Sequence, residues 1–228
     1  MHLLEAEAVL FDLDGVLTDT AAAHERAWAQ VMSEFLDSHG GVEPYSVADY
    51  YAHLDGKQRL KGIESLLASR GIELSAESVI DLGARKNAAF VQALAVEGVR
   101  VFPGSVRFLD WIQQHGIPVA VVSSSRNAPA VLAAAGLLDR FAAVVDGTVA
   151  EEHGLHSKPA PDTYEYGAKL LGAAPEQTAI IEDAVSGVAA GRAGNFWVVG
   201  VDRGAGRETL KQHGADIVVG DLDELVGV

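Results

Sequence analysis

From Val99 to the end of the chain, short apolar runs alternate with helical stretches, and that alternation restricts the fold most. Ile117 to Val122, Ala142 to Val145, Thr178 to Ile181, Phe196 to Val201 and Ile217 to Val219 are strand-length runs rich in β-branched residues. Between them, Ser105 to His115 sets Phe108, Leu109, Trp111 and Ile112 on one helical side, with Gly116 as a stop. Pro129 to Ala135, closed by Gly136, and Pro161 to Leu171, closed by Gly172, read as further helices. Ala8 to Phe11 adds a buried strand near the start. The pattern predicts an α/β fold: a doubly wound parallel sheet, Rossmann-like, with helices on both faces. Ligands of such sheets bind beyond the carboxyl ends of the strands.

Residues from about Thr20 to Glu97 break the alternation and read as almost wholly helical. Helices are predicted over Ala21 to Leu36, over Lys57 to Arg70 with Leu60, Ile63, Leu66 and Leu67 inward, and over Ala76 to Leu94 capped by Ser75. The expected organisation is a Rossmann-like core, residues 1–19 and 97–228, with a helical cap domain, residues 20–96, inserted after the first strand. The glycine-rich stretch 187–194 lacks the G-x-G-x-x-G spacing and predicts close helix packing, not a nucleotide site.

Composition narrows the partners. With 49% hydrophobic residues the 228-residue chain can bury a sizeable core. A net charge of −15 disfavours nucleic acid and anionic membrane as partners, and it makes any Lys or Arg near a motif more telling. The absence of cysteine excludes disulfides, thiolate catalysis and Cys-based zinc sites. No apolar stretch approaches the roughly 20 residues of a membrane span, and Met1-His2-Leu3-Leu4-Glu5 lacks the basic start of a signal peptide. A cytoplasmic monomer acting on a small molecule is expected.

Four segments carry chemistry. Asp12 and Asp14 leave the first strand two residues apart and are followed at once by Gly15, a costly arrangement unless something positive answers them. A hard cation such as Mg²⁺ takes oxygen ligands and needs only one or two carboxylates. Asp12 could then attack phosphorus as a carboxylate nucleophile, with Asp14 exchanging protons. Val119 to Val122 runs into Ser123, Ser124 and Ser125, whose hydroxyls can donate to phosphate oxygens. Lys158 follows Ser157 and precedes Pro159, supplying a point charge on a stiffened backbone. Ala179 to Ile181 ends in Glu182 and Asp183, acids suited to completing a metal site. A helix N-terminal acidic pair is the plainer reading of those two, and solvated helix faces the plainer reading of isolated cap cations.

The four segments, in this order, resemble the motifs of the haloacid dehalogenase-like superfamily, and the likeness spans essentially the whole chain. Asp12 to Thr20 followed by His24 and Trp28, Arg85-Lys86-Asn87, Ser123 to Asn127 and Ser157 to Asp162 are similar to the β-phosphoglucomutase branch. The resemblance implies one Mg²⁺ held by Asp12, the Asp14 backbone carbonyl, Glu182 and Asp183. It implies catalysis by Asp12, Asp14, Ser123 and Lys158, and phosphosugar binding by His24, Gly56, Arg59, Lys86, Ser124, Ser125, Arg126 and Asn127. Trp28 is both a core candidate and a stacking surface. The implied reaction interconverts β-D-glucose 1-phosphate and glucose 6-phosphate through phospho-Asp12 and glucose 1,6-bisphosphate. A sugar-phosphate phosphatase is the alternative, and a silent metabolite sensor a third reading. Lys57 and Gly62 depart from the branch pattern, and the approach to the third motif, Glu151 to His156, is longer.

Overall fold

The computed structural model describes residues 3–227; Met1, His2 and Val228, which belong to the expected core and leader readings, lie outside the described residues. Six parallel strands form one sheet: β1 (Ala8–Phe11), β2 (Val119–Val122), β3 (Ala143–Val145), β4 (Thr178–Glu182), β5 (Trp197–Val201) and β6 (Ile217–Val219). Their order is β3-β2-β1-β4-β5-β6, with Val9 level with Val119 on one side and Ala179 on the other. The order reverses between β1 and β4, where a crevice opens beyond the strand ends. β2 starts at Val119 and not at Ile117, because Pro118 has no N–H to give the ladder.

Among the described residues, ten α-helices accompany the strands. Those of the insert are α1 (Ala21–His39), α2 (Val47–Asp49), α3 (Arg59–Ser69) and α4 (Ala76–Glu97). Those of the core are α5 (Pro103–Gln114), α6 (Ala128–Ala134), α7 (Gly147–Glu152), α8 (Asp162–Leu171), α9 (Val185–Ala193) and α10 (Arg207–Gln212). Alternate strand residues face opposite ways, so each sheet face builds its own core. Phe11, Val121 and Ile181 pack with Phe108, Leu109 and Leu132 of α5 and α6, while Leu10, Val122 and Ile180 pack with Tyr164, Val188 and Leu210 of α8, α9 and α10. The glycine-rich stretch is α9. A Cβ on Gly187 would collide with Glu182 and one on Gly191 with Val198, so close packing is its role.

The insert has a third apolar cluster of its own, built from Trp28, Met32, Leu54, Ile63, Leu66 and Leu82 among others. Ser75 caps α4 by accepting from Ser78 N–H, as expected. Between α2 and α3 the chain winds through a π-helical turn, Tyr50–Leu54, which periodicity did not predict. The wider turn is followed by Gly56 at φ +69°, which delays α3 to Arg59. Both crossings between insert and core lie side by side: Asp19 N–H donates to the Arg100 carbonyl at 2.9 Å and Phe102 N–H to the Leu17 carbonyl at 3.0 Å. Among the described residues no helix is long and apolar enough to cross a membrane.

Candidate functional site

The core half of the site sits where β1, β2 and β4 end together. Asp12 follows β1, with its N–H donated to the Ile181 carbonyl at 2.9 Å. Lys158 comes from the loop before α8 and is 2% exposed, so its ammonium must find partners inside the protein. It donates to Asp12 Oδ1 and to Glu182 Oε1, both at 2.7 Å, and lies 4.7 Å from the centre of the Tyr164 ring. Burial pulls the Lys158 ammonium down, but the Asp12 and Glu182 charges outweigh it and hold it well above the usual lysine range. Glu182 also accepts from the Tyr164 hydroxyl at 2.9 Å through Oε1 and from Ala184 N–H at 2.7 Å through Oε2.

Asp14 faces the insert. Thr20, just before α1, donates to its Oδ1 at 2.5 Å, and Ser123 donates to Oδ2 at 3.4 Å. His24 Nε2 stands 3.4 Å from the same Oδ1. Burial pushes the Asp14 carboxyl up, yet His24, Thr20 and Lys86 together bring it below the ordinary carboxylate value. The His24 ring stacks on Phe90 at 3.8 Å, and its Nδ1 meets the Lys86 ammonium at 2.5 Å. Lys86 lies 4.9 Å from the centre of the Trp28 ring, and burial, with Arg59 nearby, lowers it to about 7. Burial and Lys86 likewise lower His24.

Above these groups a cavity of about 530 Å³ lies between core and insert. The sequence-expected residues line it except Lys158, Glu182 and Asn127, which stand behind its walls. Trp28, only 4% exposed, serves both as insert core and as wall. Arg59 reaches in from the start of α3. Its guanidinium donates to Asn87 Oδ1 at 2.8 Å, and Asn127 Nδ2 donates to the same oxygen at 2.9 Å. Arg126 pairs with Glu151 at 2.6 Å, and burial and the Arg126 charge both lower Arg59. Of the departures, Lys57 also lines the cavity, whereas Gly62 is buried with Leu54 packed against it.

Sequence reading missed Asn87 as a shared acceptor and Asp55 as a wall residue. The loop carrying Asp55 is clasped to the core three times: Ser186 Oγ donates to the Asp55 carbonyl at 2.8 Å, Ser124 Oγ to the Gly56 carbonyl at 2.7 Å, and Gln58 N–H to Ser157 Oγ at 2.8 Å. The only available signal was the turn-forming Asp55-Gly56 pair between two helices.

The site carries more buried negative charge than Lys158 can answer. Burial, reinforced by Glu182 and Asp14 against the pull of Lys158, raises Asp12 to about 8, and burial with Glu182, Asp55 and Asp12 drives Asp183 well above the carboxylate range. Asp183 is 9% exposed and has no hydrogen-bond or ion-pair partner among the described residues. A Cβ on Gly15 would strike its carboxylate, so only glycine lets the Asp14-Gly15 backbone approach. Among the described residues no three His, Cys, Asp or Glu side chains are arranged to cage an ion unaided. An all-oxygen set with two available carboxylates, Asp12 and Asp183, fits Mg²⁺, which keeps several waters.

A family model for haloacid dehalogenase-like hydrolases matches residues 6–195. A β-phosphoglucomutase from Mycobacterium bovis is 46% identical over 97% of this chain and 92% of its own length. A hexitol phosphatase A from Escherichia coli is 31% identical over 97% of this chain and 94% of its own length. Among solved structures, a β-phosphoglucomutase from Clostridium difficile superposes with a TM-score of 0.81 at 28% identity, covering 96% of this chain and 93% of that one.

Proposed function

The chain belongs to the haloacid dehalogenase-like family, in its β-phosphoglucomutase branch, and we propose that it interconverts β-D-glucose 1-phosphate and glucose 6-phosphate. One observation carries this reading: the cavity has two separate cationic poles. Lys158 stands behind Asp12 at one, and at the other Arg59 and Arg126 are close enough for Arg126 to lower Arg59. Two guanidiniums line one cavity, only Arg126 being paired with a carboxylate, and their planar forks suit phosphate. A bisphosphate intermediate needs both poles at once.

In the first half-reaction the phosphoryl group on Asp12 moves to the 6-hydroxyl of the sugar, whose proton passes to Asp14. The glucose 1,6-bisphosphate then turns over within the closed cavity. In the second, an Asp12 oxygen attacks the 1-phosphate, the bond from phosphorus to the sugar oxygen breaks, and Asp14 returns its proton to that oxygen. Asp14, kept ionised by His24, Thr20 and Lys86, begins as the base. Ser123, Ser124 and Ser125 offer donors to phosphate oxygens, with Gly56, Lys57, Lys86, Arg126 and Asn127 around the sugar and distal phosphate. Mg²⁺ held by Asp12, the Asp14 carbonyl and Asp183 would neutralise charge between carboxylate and phosphate. The proposed part of Glu182 is to hold Lys158 beside Asp12. Residues 20–96 act as the cap, in a monomer that works in the cytoplasm.

The likeness to hexitol phosphatase A supports a second reading, hydrolysis of a small sugar phosphate at the same Asp12. Supplying β-glucose 1-phosphate with catalytic glucose 1,6-bisphosphate, then measuring glucose 6-phosphate against free phosphate, separates the two. Glucose 6-phosphate in large excess is expected; free phosphate as the main product would overturn the mutase.

A further inference from the structure

Asp55 is an acid that the insert delivers to the acidic cluster at the strand ends. Its backbone has little choice of position. The Ser186 and Ser124 hydroxyls hold the carbonyls of Asp55 and Gly56, and Ser157 takes the Gln58 N–H. A Cβ on Gly56 would strike Ser186 and press on Ala184, so this loop lies directly on the turn after Asp183. Asp55 lines the main cavity and a second one of about 230 Å³ behind it, and Asp183 lines both as well. The Tyr50 hydroxyl hydrogen-bonds the Asp55 carboxyl.

Closing the insert therefore adds a carboxylate to a cluster that already holds Asp12, Asp14, Glu182 and Asp183 against two buried lysines, Lys158 beside Asp12 and Lys86 beside His24. Like charges brought together out of water repel strongly. Asp183, nine-tenths buried and unpartnered among the described residues, is aimed into the same space. Resting on the cation site of the proposed function, we propose that Asp55 couples insert closure to occupancy of that site by a divalent cation. Without the cation, Asp55 repels the core and the loop lifts; with it, the same carboxylate becomes an attraction. Coupling of this kind is reciprocal, so closure must also tighten the cation.

The test uses Mg²⁺ alone on the full chain, with no sugar present. Hydrogen exchange at the Gln58 amide, which donates to Ser157, reads closure, and calorimetry reads Mg²⁺ affinity. In the wild type, Mg²⁺ should slow exchange at Gln58 at least about tenfold, a coupling within the usual range. Asp55→Asn, which keeps an acceptor for Tyr50, should be protected without metal, should gain nothing further from Mg²⁺, and should bind it about tenfold more weakly. Wild-type Mg²⁺ response and affinity in Asp55→Asn would overturn the proposal. So would the same losses in Tyr50→Phe, which would assign the effect to support of the loop. Mg²⁺ binding absent from the wild type would overturn the cation site itself, whereas mutase failure with Mg²⁺ coupling intact would strike only the reaction. Matched thermal melts confirm that both variants fold.

Discussion

Asp12, Lys158 and Glu182 meet through two 2.7 Å bonds at strand ends, each almost sealed from water, whereas Arg59, Lys86 and Lys57 reach the same cavity from helices and turns of the insert. The core groups bond to one another. The insert groups bond to neighbours that a substrate could displace: Arg59 to Asn87, Lys86 to His24, Lys57 to the Ala52 carbonyl. Chemistry needs atoms fixed to within a fraction of an ångström, and a parallel sheet supplies that rigidity. Recognition needs charges that can exchange partners as a ligand arrives, and long side chains on helices do this at little strain. The contrast predicts that core substitutions abolish turnover outright, while insert substitutions discriminate between substrates.

The largest effect should come from Asp12→Asn, isosteric but a poor nucleophile. Turnover of β-glucose 1-phosphate should fall by at least about a thousandfold, roughly 4 kcal/mol of barrier. Residual activity above that level would remove Asp12 as nucleophile and blur the distinction between the halves. Asp14→Ala comes next, with a loss of about 10²–10⁴, the range for a general acid–base group. Because the expected cation contact of Asp14 is its backbone carbonyl, Mg²⁺ affinity measured by calorimetry should hardly move; a collapse of both together would make Asp14 a side-chain ligand instead.

For the insert, Arg59→Ala should damage transfer to a phosphosugar at least about tenfold more than hydrolysis of acetyl phosphate, or 1.4 kcal/mol. Equal losses in the two assays would mean that Arg59 only braces Asn87. The smallest effect is a pH dependence at Lys86. Burial holds its ammonium at about 7, so below that pH it already carries the charge that an anionic ligand wants. Above it, binding must first take up a proton, and affinity should fall by up to about tenfold per pH unit. KM measured from pH 6 to 9 should therefore rise on the alkaline side, and Lys86→Met should flatten that rise. A wild-type profile flat through pH 9 would refute the assignment.

The core half was legible because strand periodicity and strand ends are local facts. A run such as Ala8 to Phe11 followed by Asp12 announces both the strand and the chemistry at its tip, and the parallel order brings three such tips together. The glycine-rich stretch was legible for the same reason, since its spacing argued for packing before Gly187 was found against Glu182. The insert half yielded less. Asn87 matters because Arg59 and Asn127, far apart in sequence, both donate to it. Asp55 sits in a turn whose position is set by serines from two core loops and the start of α9. The π-helical turn at Tyr50–Leu54 has no repeat to betray it. The pairing of Lys158 with Glu182 was equally hidden, because both had plausible separate tasks when read one at a time.

The two chain crossings, laced by the Asp19–Arg100 and Leu17–Phe102 hydrogen bonds, have a consequence for heredity and for engineering. Because they lie side by side, the intervening segment can be lengthened, shortened or exchanged without disturbing strand order. On the proposed reading, substitutions there away from Thr20 and His24 would change which molecule is admitted while Asp12 and Lys158 stay where they are. A lineage can thus explore new substrates through one stretch of its gene, and a laboratory library confined to that stretch would retrace the search.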